Sequence, residues 1–303
     1  MKTGLLGYPI KHSLSPVIHN VAYEKLGLNW QYGLYPCPDR KTFDAILKDV
    51  LADPASFIGL NVTTPWKTAA FEAALERSAV AAAIQNANVL TVLGCGAVEP
   101  AYFSCDNTDG AGLVASLECE GIKLEGSRVV VCGTGAVAMA ALLALFGKQA
   151  ASITVVSRDR QRAAEKVAAV GHATLLSQPH NSDSSTPLKQ IDVIDYSGIA
   201  QHLANADILI DATTVGMNPT EKPIIPVELL RPTLVVVDVV YGHGETALIK
   251  AASEACARFY DGLGMLIEQA ALSIEIWAAS QRMQLTAPRA LMHEAALNEL
   301  ARR

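Results

Sequence analysis

The feature that most constrains the fold is a glycine-rich turn between a valine-rich segment and an alanine-rich one. The valine-rich segment, Arg128–Cys132, has the composition of a buried strand, and the alanine-rich segment from Val137 to Gly147 has that of a buried helix. A second valine-containing segment, Ser152–Val156, follows the helix. A strand, a glycine turn, a helix and a second strand within roughly thirty residues form the βαβ unit of mononucleotide-binding folds. This pattern predicts a parallel sheet with helices on both faces.

The residues of the turn suit the phosphates of a dinucleotide. Gly133 permits a tight turn, and Gly135 lets the backbone approach a pyrophosphate. Ala138 occupies the third small position, where it allows close packing of the helix on the strand. The N–H groups at the start of the helix are unpaired and attract an anion. An ordinary glycine turn is the alternative, but the strand–turn–helix context favours dinucleotide binding. The predicted cofactor-binding residues of this turn are Gly133, Thr134, Gly135, Ala136 and Val137.

The end of the second strand bears on the choice between NAD and NADP. An acidic residue there accepts hydrogen bonds from the ribose hydroxyls of NAD, whereas an arginine holds the 2′-phosphate of NADP. The sequence offers both kinds, since Ser157 and Arg158 are followed by Asp159, and Arg162 lies one turn later. A solvated charge run at a helix start is a third interpretation. The arginines favour NADP, and Asp159 leaves NAD or dual use open.

Length, charge and cysteine distribution limit the remaining classes. A chain of 303 residues exceeds the usual size of one core, so we expect two domains. The net charge of −6 and the pI near 5.7 argue against nucleic acid or an anionic membrane surface as a partner. The six cysteines are scattered, and no His or Cys cluster has the spacing of a metal site. The longest apolar stretch, Ala136 to Phe146, is too short for a membrane span, and the first residues do not resemble a signal peptide. These observations predict a cytoplasmic protein without a bound metal.

Strand-like and helix-like segments alternate along the whole chain, which indicates an α/β architecture. The first strand ends at Gly7, and Ser15 is the predicted N-cap of a helix from Pro16 to Leu26. A longer helix is predicted from Thr68 through Ala83. The other predicted elements are strands at Leu34–Cys37, Phe57–Thr63, Ile208–Ala212 and Leu234–Val239, a helix at Arg160–Ala169, a hairpin of Asn88–Leu93 and Ala101–Ser104 around Gly94 and Gly96, a surface loop at Ser177–Gln190, and helices within Gly264–Arg303.

Two serines at the start of the first predicted helix, Ser13 and Ser15, form a candidate anion site. Two hydroxyl groups beside the positive end of a helix can bind a carboxylate without a charged side chain. Simple capping by Ser15 is the alternative. An anionic ligand has to be held by such a local pocket, because the net charge of the chain repels it.

Four further motifs lie before and after the glycine turn. They are Gly7-Tyr8-Pro9-Ile10-Lys11-His12-Ser13-Leu14-Ser15-Pro16 followed by Ile18-His19-Asn20, then Gly59-Leu60-Asn61-Val62-Thr63-Thr64-Pro65-Trp66-Lys67, then Asn107-Thr108-Asp109-Gly110, and finally Gly264-Met265-Leu266 through Gln269. In content and order they resemble the motifs of the shikimate/quinate dehydrogenase family. The resemblance covers essentially the whole chain, and it supplies a family that composition and spacing alone do not.

The resemblance implies a two-domain α/β architecture. Residues 1–108 would form the substrate-binding and catalytic domain, residues 109–264 a Rossmann-type, doubly wound NAD(P)-binding domain, and residues 265–303 helices that return to the first domain. The active site would lie in the cleft between the two domains. The implied activity is that of an NAD(P)-dependent oxidoreductase, which interconverts shikimate, quinate or a close analogue with its 3-dehydro ketone, as in the shikimate pathway of aromatic amino acid biosynthesis.

The resemblance also implies roles for individual residues. Lys67 and Asp109 would be the catalytic pair beside the reacting hydroxyl. A partly desolvated lysine can take the hydroxyl proton as hydride leaves, and an aspartate within reach can orient it. A solvated lysine and an N-cap aspartate are the structural alternatives. Ser13 and Ser15 would hold the substrate carboxylate. The residues implied to bind the ring substituents are Thr63, Asn88, Tyr241 and Gln269, and Thr213 and Gly262 join the cofactor-binding residues.

The sequence departs from the family pattern at four places. Gln85-Asn86-Ala87 precede Asn88 where Gly-Ala-hydrophobic is usual, and Val89 follows in place of threonine. Cys105 replaces a glycine shortly before Asn107-Thr108-Asp109-Gly110, which we call the aspartate motif. Gly242-His243-Gly244 follow Tyr241 in place of x-Pro. Asp159 replaces the threonine of an Asn-Arg-Thr phosphate clamp. The first three departures border the predicted substrate pocket, so they leave the choice among shikimate, quinate and an amino analogue open.

Two other functions are compatible with a dinucleotide-binding fold. One is a catalytically silent regulator, against which the Lys67 and Asp109 pair argues. The other is a different two-domain Rossmann oxidoreductase acting on folate or glutamyl-tRNA, in which Ser13 and Ser15 have no evident role. We expect a small carboxylic acid as the substrate, a monomer or homodimer, and neither nucleic acid nor a membrane as a partner.

Overall fold

The computed structural model describes the chain in five segments and divides it into two compact units. The described residues are 1–94, 100–176, 191–218, 220–242 and 244–303, with the backbone alone for 172–176. The first unit contains residues 1–108 and 267–303, and the second contains residues 109–266. The predicted loop at Ser177–Gln190 lies outside the described residues, as do Gly96 and His243.

The first unit is built on a six-stranded mixed sheet. Its elements are β1 (Lys2–Gly7), α1 (Ser15–Lys25), β2 (Gln31–Pro36), α2 (Arg40–Ala52), β3 (Gly59–Val62), α3 (Lys67–Ala73), β4 (Glu76–Arg77), α4 (Ala79–Ile84), β5 (Val89–Leu93), β6 (Tyr102–Asp106), most of α10 (Leu263–Ser280), and α11 (Arg289–Arg302). The strand order is β2-β1-β3-β5-β6-β4, with β5 antiparallel to both of its neighbours. The strand β3 is buried along its whole length, and the amide of Asn61 within it is satisfied by hydrogen bonds.

The second unit is built on a six-stranded sheet in which every pairing is parallel. Its elements are α5 (Asp109–Cys119), β7 (Arg128–Cys132), α6 (Ala136–Gly147), β8 (Ser152–Val156), α7 (Arg160–Leu176), β9 (Ile191–Ile194), α8 (Ile199–Leu203), β10 (Ile208–Asp211), β11 (Val235–Asp238), α9 (Ala247–Glu254) and β12 (Arg258–Tyr260). The order β12-β11-β10-β7-β8-β9 is that of doubly wound dinucleotide-binding sheets, and it reverses direction between β7 and β10. The predicted α/β fold with a Rossmann-type sheet is therefore confirmed.

Close packing of α5 on α6 explains one glycine of the aspartate motif. A Cβ added to Gly110 would overlap the backbone carbonyl of Ala140 on α6. The helix α6 is almost wholly apolar and buries Leu142 and Leu145, as its sequence predicts. Among the described helices, none is long and apolar enough to cross a membrane.

The single helix predicted from Thr68 through Ala83 is wrong. The chain leaves the helical conformation at Ala74, and the N–H of Leu75 donates to the Phe103 carbonyl at 2.9 Å. Pairing with β6 therefore interrupts the run, and a new helix begins after Ser78, whose Oγ accepts from the Ala81 N–H at 3.1 Å. Helical propensity is weak enough for such long-range backbone pairing to override it.

The predicted N-cap of the first helix is also wrong. α1 begins at Ser15 itself, with Leu14 in the cap position and no side-chain cap. The predicted end of the helix at Leu26 agrees to one residue with the structure, in which α1 ends at Lys25 with Leu26 in the C-cap position, and Gly27 follows with a φ of 65°. The helix α2 was not predicted from the sequence. Asp39 caps it by accepting a hydrogen bond of 2.7 Å from the Thr42 N–H.

Buried polar side chains surround His19 in the first unit. The imidazole stacks on Tyr32 with ring centroids 4.0 Å apart, and its Nδ1 lies 3.3 Å from the Tyr23 hydroxyl. That hydroxyl shares a hydrogen bond of 2.8 Å with Thr3. Nε2 of His19 has no hydrogen-bond partner among the described residues. Burial lowers the pKa of His19 to about 3, so the ring is neutral at physiological pH.

The burial of neutral His19 makes folding stability depend on pH. In the unfolded chain the imidazole titrates near its usual pKa of about 6.5. Between that value and the folded pKa of about 3, the unfolded state binds more protons. The free energy of unfolding should therefore fall as the pH drops through this window, by up to about 1.4 kcal/mol per pH unit. Urea denaturation at a series of pH values measures this slope.

His19→Phe is the comparison variant, because phenylalanine retains the stacking and cannot titrate. In this variant the free energy of unfolding should no longer fall because of residue 19 as the pH drops from about 6.5 to about 3. The buried Asp211 carboxyl, with its pKa raised to about 6, acts in the opposite direction because the folded state holds its proton more tightly. Asp211 is present in both proteins, so the difference between the two curves isolates His19. If the free energy of unfolding varied with pH equally in the unmodified protein and in His19→Phe, the buried His19 would not be the cause of the slope.

Candidate active site

The predicted site residues of the first unit follow strand ends that share one edge of the sheet. β1 and β3 are parallel, with Leu6 opposite Val62, so their carboxyl ends lie side by side. β5 runs the other way, and its first residue, Val89, pairs with both Asn61 and Asp106. The start of β5 and the end of β6 therefore lie at the same edge. The carboxyl edge of parallel strands is where open α/β sheets bind ligands.

Asn88 is the centre of a buried hydrogen-bond network at this edge. Its Oδ1 accepts from the Thr108 N–H at 2.8 Å, and its Nδ2 donates to Thr108 Oγ1 at 3.0 Å. Nδ2 also lies 3.3 Å from Gln269 Oε1, and Thr108 Oγ1 donates to the Gln269 carbonyl at 3.1 Å. Asn61 Nδ2 donates to the Asn88 carbonyl at 3.1 Å. Two predicted substrate-binding amides, Asn88 and Gln269, are thus in direct contact and held in fixed orientations.

Lys67 is the first residue of α3, and it is partly buried. Its carbonyl accepts from the Ala87 N–H at 3.0 Å, which joins it to the residue before Asn88. The Trp66 N–H donates to the Thr63 carbonyl at 2.9 Å. These bonds hold the start of α3 beside the amide network.

The loop after β1 carries Ser13 and Ser15 to the same edge. The Tyr8 N–H donates to the Thr64 carbonyl at 3.1 Å, so this loop is joined to the one that precedes Lys67. Ser15 is 5% exposed, and its N–H donates to Ser13 Oγ at 3.1 Å. Leu14 occupies the N-cap position of α1, so the Ser15 hydroxyl, one residue later, is not the cap of this helix. The segments that carry Ser13, Ser15, Thr63, Lys67, Asn88 and Gln269 therefore meet at one edge of the first unit.

The remaining predicted catalytic residue, Asp109, and the remaining predicted substrate-binding residue, Tyr241, belong to the second unit. Asp109 is the first residue of α5 and is 4% exposed. Tyr241 follows β11 and is partly buried, and the next residue, Gly242, has a φ of 75°.

The glycine turn after β7 has the geometry of a phosphate cradle. Gly133 has a φ of 105°, and a Cβ there would lie 3.1 Å from the Ala212 carbonyl and 3.2 Å from Thr213 Cγ2. Gly135 faces open space, since nothing lies within 4 Å of an added Cβ. No side chain caps α6, so its first N–H groups can reach an anion. The turn therefore fits the pyrophosphate of a dinucleotide.

Two residues implied by the resemblance have clear packing roles. Thr213 contacts the turn at Gly133, and its N–H donates to Asp211 Oδ1 at 2.9 Å. An added Cβ on Gly262 would overlap the Val239 carbonyl, so glycine is required there by the backbone alone.

The segment after β8 forms a tight turn into α7. Ser157 is buried, and its Oγ accepts from the Asp159 N–H at 3.2 Å. Oδ1 of Asp159 accepts from the Arg162 N–H at 3.0 Å, so Asp159 is the N-cap of α7. Arg158 and Arg162 are exposed. Asp159, the negative charge by which this sequence departs from the family pattern, thus stabilises the start of α7.

Lys166 is a further residue at the glycine turn that the motifs of the sequence did not predict. Its Nζ donates to the Thr134 carbonyl of the glycine turn at 2.7 Å. Burial, together with the nearby charge of Arg162, lowers the pKa of Lys166. The available signal was the spacing of Lys166 from Arg162, four residues along one helix face.

Two buried acids at the carboxyl edge of the second sheet were also missed. Asp211 ends β10 and lies opposite both Cys132 and Asp238 in the neighbouring strands. Burial raises the pKa of Asp211 to about 6, and it also raises the pKa of Asp238. Asp238 Oδ2 accepts from Thr246 Oγ1 at 2.6 Å. Within the described residues, no group of three or more potential ligands is arranged to hold a metal ion.

The structure accounts for two of the departures from the family pattern. Gln85 ends α4 with a φ of 50°, a left-handed conformation that favours the glycine usual at this position. Cys105 is 4% exposed and belongs to the hydrophobic core of the first unit. Cys105 therefore has a packing role, and its place beside a substrate pocket stays a prediction.

Comparisons with known proteins match different family models to the two parts of the chain. The family model of the shikimate dehydrogenase substrate binding domain matches residues 5–90, and an NAD(P)-binding model matches residues 121–217. The chain is 32% identical over 305 residues to the NADP⁺ shikimate dehydrogenase of Methanopyrus kandleri, covering 98% of this chain and 95% of the relative. It is 35% identical over 299 residues to that of Methanosarcina acetivorans, covering 98% of both.

Solved structures extend the comparison to the fold. A shikimate dehydrogenase in complex with NADP⁺ is 27% identical with a TM-score of 0.84, covering 99% of this chain and 95% of that one. Quinate dehydrogenase from Corynebacterium glutamicum in complex with NAD is 25% identical with a TM-score of 0.82, covering 98% and 99%. Ligand-free 5-ketofructose reductase of Gluconobacter sp. is 25% identical with a TM-score of 0.79, covering 99% and 98%. With whole-length relatives above 30% identity and a matching amino-terminal domain, the chain belongs to the shikimate dehydrogenase family.

Proposed function

We propose that this protein is an NADP-dependent oxidoreductase that interconverts shikimate and its 3-dehydro ketone. The observation that carries the proposal is the polar edge of the first unit, where the segments that carry two serines, a lysine and two amides meet. A small cyclic acid with several hydroxyls needs such a set, because hydroxyl and N–H groups at a helix start can bind its carboxylate while amides bind its hydroxyls. The names of the relatives from Methanopyrus kandleri and Methanosarcina acetivorans support the same activity.

We assign the two ligands to different parts of the chain. Residues 1–108, with the helices of residues 265–303, bind the acid. Residues 109–264 bind the dinucleotide. The hydrogen bond between Asn88 and Gln269 supports the inclusion of the carboxyl-terminal helices with the first segment. The open space at Gly135 supports the second assignment.

Oxidation of a secondary alcohol removes a hydride from carbon and a proton from oxygen. When bound, the nicotinamide supplies the hydride acceptor and, in its reduced form, the hydride donor. Lys67 takes the hydroxyl proton on Nζ as the carbonyl forms, and it returns the proton in the reverse direction. Asp109 orients Lys67 and the hydroxyl. Ser13 and Ser15 hold the carboxylate, while Thr63, Asn88, Tyr241 and Gln269 bind the ring substituents.

The choice of NADP follows from the segment between β8 and α7. Arg158 and Arg162 are exposed cations at the position where the adenosine ribose binds in this fold. A guanidinium suits bidentate contact with a phosphate. Asp159 has one oxygen committed to the helix cap, which supports a structural role over binding of the ribose hydroxyls. NAD is the second candidate, because the other carboxylate oxygen is not part of that cap.

A panel of substrates and cofactors tests the proposal. Formation of reduced dinucleotide should be followed with shikimate, quinate and their amino analogues, each with NADP⁺ and with NAD⁺. We expect shikimate with NADP⁺ to give the highest kcat/KM. A higher kcat/KM with quinate would instead make the protein a quinate dehydrogenase, the activity named for one of its structural neighbours. Binding of a dinucleotide without turnover of any acid would instead support a silent regulator.

Replacement of Lys67 tests the proton transfer. Lys67→Met keeps the length of the side chain and removes the amine. Loss of a general acid/base should lower kcat by roughly 10²–10⁴-fold. The dissociation constant for NADP⁺ should be unchanged, since Lys67 lies in the first unit. Lys41→Met, an exposed lysine on α2, is the matched control. Turnover close to that of the unmodified protein would remove Lys67 from the mechanism.

Replacement of Ser15 separates carboxylate binding from helix capping. Ser15→Ala should raise KM for the acid by roughly tenfold or more, the usual effect of losing a hydrogen bond to a charged group. Its thermal stability should be unchanged, because Ser15 does not cap α1. Asp39→Ala is the opposite control. It removes a true cap from α2 and should cost about 1 kcal/mol of stability without changing KM. An unchanged KM in Ser15→Ala would place the carboxylate elsewhere.

A further inference from the structure

Lys166 lies at the glycine turn although it belongs to neither the turn nor the end of β8. Its Nζ donates to the carbonyl of Thr134, the residue between the two glycines, at 2.7 Å. Its side chain is partly buried, and burial and the charge of Arg162 lower its pKa. In addition to Arg158 and Arg162, the ammonium of Lys166 is therefore held partly out of water beside the predicted cofactor site.

Among the residues that the structure describes, no carboxylate forms an ion pair with Lys166. Arg162 and Lys166 are four residues apart on α7, so they share a helix face, where like charges repel each other. In the part of the chain that the structure describes, no ion pair involves Arg158, Arg162 or Lys166. Asp159 accepts from the backbone of Arg162 as a helix cap, not from its guanidinium. The arrangement is unfavourable in the free chain and would be relieved by a bound anion.

The position of Lys166 indicates which anion it would bind. α7 begins directly after β8, and the adenosine ribose binds at the end of this second strand of the βαβ unit. A bound pyrophosphate would be held by the N-terminus of α6, which follows the glycine turn. A lysine on α7 that reaches Thr134 lies between these two regions. Its flexible stem allows the ammonium to turn from the carbonyl to a nearby phosphate.

We propose that Lys166 binds the 2′-phosphate of NADP together with Arg158 and Arg162. It thereby supplies the donor that is lost where Asp159 replaces threonine. The inference rests on the proposed function, namely that the second unit binds a dinucleotide. It makes Lys166 a determinant of the preference for NADP over NAD.

Equilibrium binding tests the inference without relying on turnover. NADP⁺ and NAD⁺ differ by the 2′-phosphate alone, so calorimetric dissociation constants for the two isolate contacts to that group. Lys166→Met should raise the constant for NADP⁺ by about tenfold or more, the effect of losing a charge-assisted hydrogen bond. The constant for NAD⁺ should change by less than about threefold. Lys166→Arg should retain most of the affinity for NADP⁺, because it retains the charge.

Lys148→Met is the matched control, since it removes one cation at the opposite end of α6 from the turn. Both of its dissociation constants should be unchanged. An equal loss of affinity for both dinucleotides in Lys166→Met would overturn the inference, because the lysine would then support only the turn. No change for either would overturn it as well. An unmodified protein that binds neither dinucleotide would instead overturn the proposed function, and the inference with it.

Discussion

The first unit depends on hydrogen bonds between its sheet and α10, a helix from the far end of the chain. Asn61 Nδ2 donates to Ser273 Oγ at 2.9 Å, and the indole of Trp277 donates to the Leu90 carbonyl at 3.1 Å. These groups are buried, so a missing partner would cost roughly 1–3 kcal/mol for each. The same helix supplies Gln269 to the amide network. Completing the core and completing the candidate site are therefore one structural event.

Local geometry, not net charge, makes anion binding possible in this acidic protein. The chain carries a formal charge of −6, which disfavours the approach of an acid or a phosphate. The first unit compensates with hydroxyl and N–H groups at the start of α1, and the second with the uncapped N-terminus of α6. Lys166 adds positive charge at the turn itself, and the charge of Arg162 is near enough to lower the pKa of Lys166. Each contribution acts over a few ångströms and is little affected by charges elsewhere on the surface.

The sequence predicted the parts of the fold that local patterns determine. The strands Arg128–Cys132 and Ser152–Val156 were predicted with the observed bounds, because valine runs next to a glycine turn have few alternatives. The long helix through Ala83 failed because pairing of Leu75 with Phe103 is a long-range contact without a local signal. Lys166 was missed for a similar reason. Its position at Thr134 depends on how α7 packs, which residue spacing alone does not show.

The order of the chain through the two units has a consequence for synthesis on the ribosome. Residues 109–266 are continuous, so the second unit can fold as soon as it has emerged. The first unit begins the chain but needs α10 and α11, so its buried amides wait for acceptors that are translated last. During that interval its exposed strands are open to pairing with other nascent chains. Early folding of the inserted unit replaces a long flexible connection between the two halves of the first unit by a compact one, which lowers the entropy cost of closing so long a loop.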